Sequence, residues 1–183
     1  VLLADGEVPY DSLVLAAGAT HSYFGHPEWE AHAPGLKSIE DALEIRRRVL
    51  LAFEVAERET DSDLQRAWLT FVVVGGGPAG LEAAGTLRDV ARMTLAKDFT
   101  RIDPRTAKVI LIEGSPRVLP PYAPELSESA KRQLEALGVE VRSGVHVTHI
   151  DGEGVAIGDD RIAARTVLWA AGGAASPLGK TLG

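Results

Sequence analysis

The chain has 183 residues, a formal net charge of −7, 45% hydrophobic and 25% charged residues, and no cysteine. That is the make-up of an ordinary globular domain. The acidic balance argues against a general nucleic-acid binder. The missing cysteine excludes a disulfide framework, a thiolate metal site and a redox-active Cys pair in this stretch. No apolar run is long enough to span a bilayer, and no signal-peptide pattern opens the chain.

Val1-Leu2-Leu3-Ala4 already reads as mid-strand, and Ser176 to Gly183 stops without a concluding element. Both ends predict a piece of a longer protein. Val1 to Val8 predicts a hairpin turning at Asp5-Gly6. Leu13 to Ala17 predicts a short apolar strand running into Gly18, its small residues permitting close approach of a backbone or ligand. His21, His26 and His32 lie in a Pro-containing stretch to Gly35. Their irregular spacing, without Cys or clustered carboxylates, points to a solvated loop rather than a metal site.

A helix is predicted from Ser38 to about Glu59, with Ser38 as N-cap and Glu40 and Asp41 in the first turn. Ile39, Ala42, Leu43, Arg46, Val49, Leu50, Phe53 and Ala56 recur at helical spacing as its inner stripe. The run Arg46-Arg47-Arg48 is answered by Glu40, Asp41, Glu44 and Glu54, so a solvated, salt-bridged face is expected. Thr60 to Asp63 reads as a polar linker, with the next domain beginning near Trp68.

Phe71-Val72-Val73-Val74 is a β-branched apolar run, as a strand covered on both faces should be. Gly75-Gly76-Gly77-Pro78-Ala79-Gly80 follows, with Gly75, Gly77 and Gly80 in G-x-G-x-x-G spacing. Gly75 allows the tight turn, Gly77 lets a pyrophosphate approach the backbone, and Gly80 lets the following helix pack on the strand. Pro78 suits a first helical position, and the free amides of that turn suit phosphates. The helix is expected to run into the low 90s with Ala79, Ala83, Ala84 and Leu87 facing the sheet. After an irregular insertion, Asp98 to Thr106, the stretch Lys108 to Glu113 is a second buried strand ending in an acid.

A carboxylate there accepts hydrogen bonds from the adenosine ribose and repels a 2′-phosphate, so Glu113 predicts NADH over NADPH. Glu113 lies 38 residues after Gly75, against a usual offset of about 20, and the insertion accounts for the excess. Arg117 is either a phosphate or adenine contact or a surface arginine. Leu126, Ala130, Leu134 and Leu137 mark an amphipathic helix stopped by Gly138, and Val139 to Arg142 a third strand. Val145 to Ile150 alternates as a half-exposed strand, which leaves His146 and His149 facing solvent and outside the chemistry. A hairpin turning at Asp159-Asp160 follows. Thr166 to Gly173 is a final strand ending in small residues, Ala170-Ala171-Gly172, and echoes Leu13 to Gly18.

In this order the motifs resemble the two-dinucleotide-fold pyridine nucleotide:disulfide oxidoreductases. The resemblance is closer to the type II NADH dehydrogenases, single-subunit NADH:quinone oxidoreductases. It is carried by Ser22-Tyr23-Phe24-Gly25-His26, by Ala33 to Ala42, by Ile45-Arg46-Arg47-Arg48, by Gly75 to Glu82 and by Ala170 to Leu178. The resemblance implies an α/β, Rossmann-like NAD(P)-binding domain, a parallel sheet with an added antiparallel hairpin or meander, plus short flanks from an FAD domain. The implied division is 1–24 FAD-domain flank, 25–67 connecting loop and long helix, 68–165 NADH-binding domain, and 166–183 return strand toward the FAD domain. The implied reaction of the parent is hydride transfer from NADH to FAD and reduction of a membrane quinone, on the inner, cytoplasmic face of a bacterial membrane. Membrane and quinone contacts are expected from C-terminal segments outside this chain.

Glu82 matches the family's acidic residue near the nicotinamide, and is implied to hold the carboxamide or position the ring; a first-turn glutamate favoured by the helix dipole is the plain alternative. Gly75 to Gly80 and Glu113 are the implied NADH contacts, with Ala171, Gly172 and Gly18 as further cofactor contacts. Ala16-Ala17-Gly18 stands where the family normally has Ala-Thr-Gly. The flavin's own glycine turn is not found in this sequence, so the chain alone is expected to bind NADH without turnover. The NAD domain of a ferredoxin- or nitrite-reductase flavoprotein, a non-catalytic NADH sensor and a methyltransferase remain as alternatives. Val1 to Leu15 and Val167 to Ala171 are expected to offer unpaired strand edges, and with them a homodimer.

Overall fold

The computed structural model describes residues 1–182; Gly183, the last residue of the expected return segment, lies outside the described residues. In chain order the strands and helices are β1 (Leu2–Leu3), β2 (Gly6–Glu7), β3 (Ala19–His21), α1 (Ile39–Arg58), α2 (Ser62–Trp68), β4 (Thr70–Val74), α3 (Pro78–Asp89), β5 (Lys108–Glu113), α4 (Pro124–Leu137), β6 (Val139–Ser143), β7 (His149–Asp151), β8 (Gly154–Ile157), β9 (Asp160–Ala163), β10 (Thr166–Trp169) and β11 (Gly173–Ala175).

A four-stranded sheet with order β10-β4-β5-β6 organises these elements. All its pairings are parallel, with Val72 beside Ile110 and Val167, and Ile110 beside Glu140. Strand alternation divides the side chains between two cores. Phe71, Val73, Val109, Leu111 and Leu168 pack among α1, α3 and α4. Val72, Val74, Ile110, Ile112, Val167 and Trp169 point the other way, against Ile150 and Val155 of the antiparallel meander β7-β8-β9 and against Tyr23 and Trp29. Burial on both faces is why these strands carry apolar residues at nearly every position. This is the α/β, Rossmann-like arrangement that the motifs predict.

The central unit forms as expected. β4, the glycine turn, α3 and β5 fall where the pattern places them, and β5 has the expected limits. Leu137 is followed by Gly138 at φ 93°, which ends α4. Ser38 and Asp41 close a reciprocal capping box on α1.

Several details differ. The first hairpin turns at Ala4-Asp5, since Leu3 pairs with Gly6. The meander turns at Gly158-Asp159, since Ile157 pairs with Asp160. Leu13 to Ala17 forms no strand and is exposed; among the described residues no strand pairs with it, and an apolar run without a pairing partner is not a strand. The inner face of α1 is Ile45, Val49, Ala52, Phe53 and Ala56, whereas Ile39 and Leu43 are 76% and 58% exposed. The helix carries two apolar stripes, and the one with alanines approaches the sheet more closely. The expected linker holds the start of α2, whose N-cap Asp61 accepts from Asp63 and Leu64. On α3 the buried positions are Gly80, Ala84 and Leu87, while Ala79 is exposed. The helix ends in a π-helical turn, Val90–Thr94. On α4, Leu134 is buried and Leu126 exposed.

Residues 145–148 are not a strand either. Gly144 sits at φ 76°, its N–H donates to the Ser115 carbonyl, and the Val145 N–H donates to the Glu113 carbonyl. This stretch therefore folds back over the end of β5.

The expected return strand β10 is itself part of the central sheet, beside β4. Its outer edge is not free. The Trp169 N–H donates to the Pro34 carbonyl at 2.9 Å, and Gly35 makes a parallel bridge to Trp169. The unpaired edge expected at Val167 to Ala171 is thus covered by the loop before α1. β11 then pairs antiparallel with β3 in a separate two-stranded ribbon.

Candidate functional site

The strand order places β4 in the interior of the sheet, with β5 and β6 added on one side and β10 on the other. The order in which strands are added reverses at β4, and a crevice opens beyond the carboxyl ends of β4 and β10. A cleft of about 570 Å³ lies there, floored by Val74, Ile112 and Trp169. One wall is Glu113, Gly114, Ser115 and residues 145–147. The other is Ala170 to Gly172 with Phe24, His26 and Trp29. Gly75 and Gly77 lie between the walls.

Each glycine of the motif has its own geometric reason. Gly75 leaves β4 at φ 113°, and a Cβ there would sit 2.5 Å from the Ala171 nitrogen. A Cβ on Gly80 would fall onto the Gly75 carbonyl oxygen, so glycine lets α3 start directly under the strand exit. A Cβ on Gly76 would lie 2.9 Å from the Glu113 side chain. Gly77 is different: nothing lies within 4 Å of a Cβ built there. Its space is open, as an approaching ligand requires. Pro78 occupies the first position of α3. The amides of Ala79 and Gly80 follow in the first turn, where no helix carbonyl can receive them. They and the positive helix end suit an anion.

Glu113 closes the motif. One carboxylate oxygen accepts from the Gly76 N–H at 2.5 Å and the other from the Ser115 N–H at 2.6 Å. The acid is tied to the glycine turn across two adjacent strands. Each oxygen keeps a further lone pair toward the cleft.

The opposite wall is aromatic. The Trp169 ring stacks on Tyr23 at 5.0 Å and meets Trp29 edge-on at 5.7 Å. The Trp169 indole N–H donates to the Ser22 carbonyl and the Tyr23 hydroxyl to the Ala33 carbonyl. Burial first, and then the charges of Glu30 and Asp41, push the Tyr23 hydroxyl up to about 12. It stays a neutral donor that fixes the loop.

The structure thus brings together Gly75, Gly77, Glu113, Ala171 and Gly172 along the cleft, with Gly76, Pro78, Ala79 and Gly80 in the turn behind it. It does not bring in Gly18, which stands in exposed chain away from the cleft, with nothing within 4 Å of a Cβ built there. Glu82 is exposed on α3 and does not line the cleft. Arg117 turns back on its own loop, donating to the carbonyls of Pro120 and Tyr122. The loop histidines are engaged locally: His21 with Asp41 at 2.9 Å, His26 stacked on Trp29 at 4.1 Å.

Sequence reasoning missed His146 and the aromatic wall. His146 is exposed, as alternation placed it, and its ring also lies beside Gly114 on the cleft wall, where a Cβ would lie 2.5 Å from it. Gly144 was the available signal. Among the described residues there is one strand–glycine–helix turn, between β4 and α3.

The comparisons agree with this geometry. The family model described as pyridine nucleotide-disulphide oxidoreductase matches residues 3–183. The type II NADH:quinone oxidoreductase NdhA of Mycobacterium tuberculosis is 50% identical over 179 residues, covering 95% of this chain and 38% of that protein. The type II NADH:quinone oxidoreductase Ndh of the same organism is 46% identical over 181 residues, covering 96% and 39%. Among solved structures, NDH2 from Plasmodium falciparum in complex with NADH superposes with a TM-score of 0.80 at 25% identity, covering 88% of this chain and 34% of that one. The chain therefore spans a little over a third of the length of these relatives. With the family match running through both walls of the cleft and the glycine turn between them, the chain belongs to the pyridine nucleotide-disulphide oxidoreductase family.

Proposed function

We propose that this chain is the NADH-binding part of an FAD-dependent NADH:quinone oxidoreductase. The observation that carries the reading is the pairing of an open Gly77 with a carboxylate at the end of β5, hydrogen-bonded to the same turn. The pyrophosphate lies on the turn and the first amides of α3. The adenosine ribose hydroxyls donate to Glu113, and a 2′-phosphate there would meet like charge. Ala171 and Gly172 present backbone on the nicotinamide side. Glu82, exposed in the first turns of α3, is available to the nicotinamide carboxamide or to a neighbouring domain.

FAD, when bound in the whole protein, supplies the hydride acceptor. Leu13 to Gly18, expected on the flavin side, is exposed coil. This chain by itself binds NADH without turnover. Quinone and a membrane surface, at the cytoplasmic face, are contacts of the whole protein through segments outside this chain. Val1 to Leu15, exposed along much of its length, is the surface through which a second copy would pair, which light scattering at high concentration reads as a dimer mass.

The test is titration of the purified chain with NADH and NADPH, followed by loss of tryptophan emission. Trp29 and Trp169 line the cleft, so a reduced nicotinamide bound there quenches them. Tighter binding of NADH supports the reading. Equal or no binding of the two contradicts it.

A further inference from the structure

Phe24 lines the cleft in an unusual state. Its backbone is left-handed, at φ 51°, a conformation unfavourable for a residue with a Cβ. Its ring is 67% exposed, although the adjacent Tyr23 is buried. The ring stands edge-on to Trp169, with centroids 6.0 Å apart and planes at 61°. A Cβ on Gly172 would lie 2.7 Å from the Ser22 carbonyl oxygen and 2.8 Å from the Phe24 ring, so glycine at the exit of β10 makes room for both the chain before Phe24 and its ring. An apolar ring held out to solvent by an unfavourable backbone gains nothing for folding alone. Such a combination at the mouth of a cleft points to a ligand contact.

The direction of the dinucleotide says which part it meets. Glu113 takes the adenosine ribose on the β5 side of the glycine turn. The other half of the molecule must leave the turn on the β10 side, toward Ala170 to Gly172 and Phe24. We propose that Phe24 is the aromatic contact for the dihydronicotinamide ring, packing against it at the open end of the cleft. Offset or edge-to-face contact between two such rings is favourable and orients both. The proposal rests on the NADH reading above and adds the residue that distinguishes the whole dinucleotide from its ADP-ribose half.

The test uses the chain itself, titrated calorimetrically with NADH and with ADP-ribose. Phe24→Leu keeps an apolar side chain but no ring; Phe24→Gly removes the ring and relieves the backbone; Phe24→Tyr keeps the ring. Removing the ring weakens NADH by about tenfold, the upper range for an aromatic pair, and leaves ADP-ribose unchanged. Phe24→Tyr retains wild-type NADH affinity. Equal losses for both ligands, or unchanged NADH affinity in a variant with the wild-type melting temperature, overturn the proposal. Absence of binding of both ligands to the unchanged chain overturns the NADH reading, and this proposal with it.

Discussion

Replacing Glu113 tests the proposed site most sharply, because its carboxylate ties the glycine turn and is also the proposed ribose acceptor. It accepts the Gly76 and Ser115 N–H groups at 2.5 and 2.6 Å. In the proposed complex the lone pairs left over accept from the ribose hydroxyls. A hydrogen bond to a charged group contributes about 1.5–3 kcal/mol, so losing one weakens NADH roughly ten- to hundredfold at about 1.4 kcal/mol per decade. NADPH moves the opposite way, since a carboxylate beside its 2′-phosphate costs several kcal/mol. The NADH/NADPH preference should therefore fall by more than about a hundredfold.

The fold pays a separate cost. Gly76 is buried, and an orphaned buried N–H costs about 1–3 kcal/mol, or roughly 2–4 °C per kcal/mol for a chain of this size. Glu113→Gln keeps the volume and one acceptor oxygen, enough for the Gly76 or the Ser115 N–H but not both, so it loses the charge with a smaller cost to the fold than Ala. Fluorescence titrations with both dinucleotides, alongside thermal melts, give both quantities for Ala and Gln. A folded variant with an unchanged NADH/NADPH ratio would refute the ribose role of Glu113.

Three further predictions follow from neighbouring geometry. Gly77→Ala should melt like the unchanged chain and bind NADH at least about tenfold more weakly, because its Cβ enters open space that the pyrophosphate needs; Gly80→Ala should instead lower the melting temperature steeply, since its Cβ meets the Gly75 carbonyl, and a reversed pattern would contradict the assignment of the two glycines. Thr166→Val should stabilise the chain by about 1 kcal/mol, because the Thr166 hydroxyl is buried without a hydrogen-bond partner among the described residues; a destabilised variant in denaturant titration would show that the hydroxyl is satisfied. Burial raises the Asp41 carboxyl, but the Lys37 N–H, the His21 ring and the Ser38 N–H outweigh it and hold it down from 3.8 to about 2. A depressed acid stabilises the fold above its unfolded value and loses that contribution as pH falls from about 4 toward about 2, so Asp41→Asn should flatten the stability–pH curve in that window, and an unchanged acid slope would be the adverse result.

The parts of the fold that local chemistry determines were legible in the sequence. The Phe71–Val74 run, the spaced glycines and an acid ending an apolar strand specify β4, α3 and β5 without distant partners, and they set the core of the site. What was not legible depends on partners far along the chain. Leu13 to Ala17 has the composition of a strand but, among the described residues, no strand paired with it. Thr166–Trp169 looked like an exit strand, and only its register with Phe71–Val74 shows that it completes the central sheet. The α1 helix carries apolar residues on two stripes, so periodicity alone did not choose the face with Ala52 and Ala56. The start of α2 was hidden in polar residues, although Asp61 followed by Leu64, Ala67 and Trp68 is a cap and an amphipathic turn. His146 is exposed as alternation placed it, but its position on the cleft wall depends on the bend at the left-handed Gly144, which alternation does not show. The aromatic wall is assembled from residues 24, 26, 29 and 169, too far apart in sequence for spacing to unite them.

The most direct measurement is a crystal structure of the chain with NADH bound. The account predicts the pyrophosphate on Gly75 to Ala79 at the start of α3, the adenosine ribose hydroxyls on Glu113, and the nicotinamide beyond Ala171 and Gly172 against Phe24. A dinucleotide lying outside this cleft, or reversed with its nicotinamide at Glu113, would contradict it.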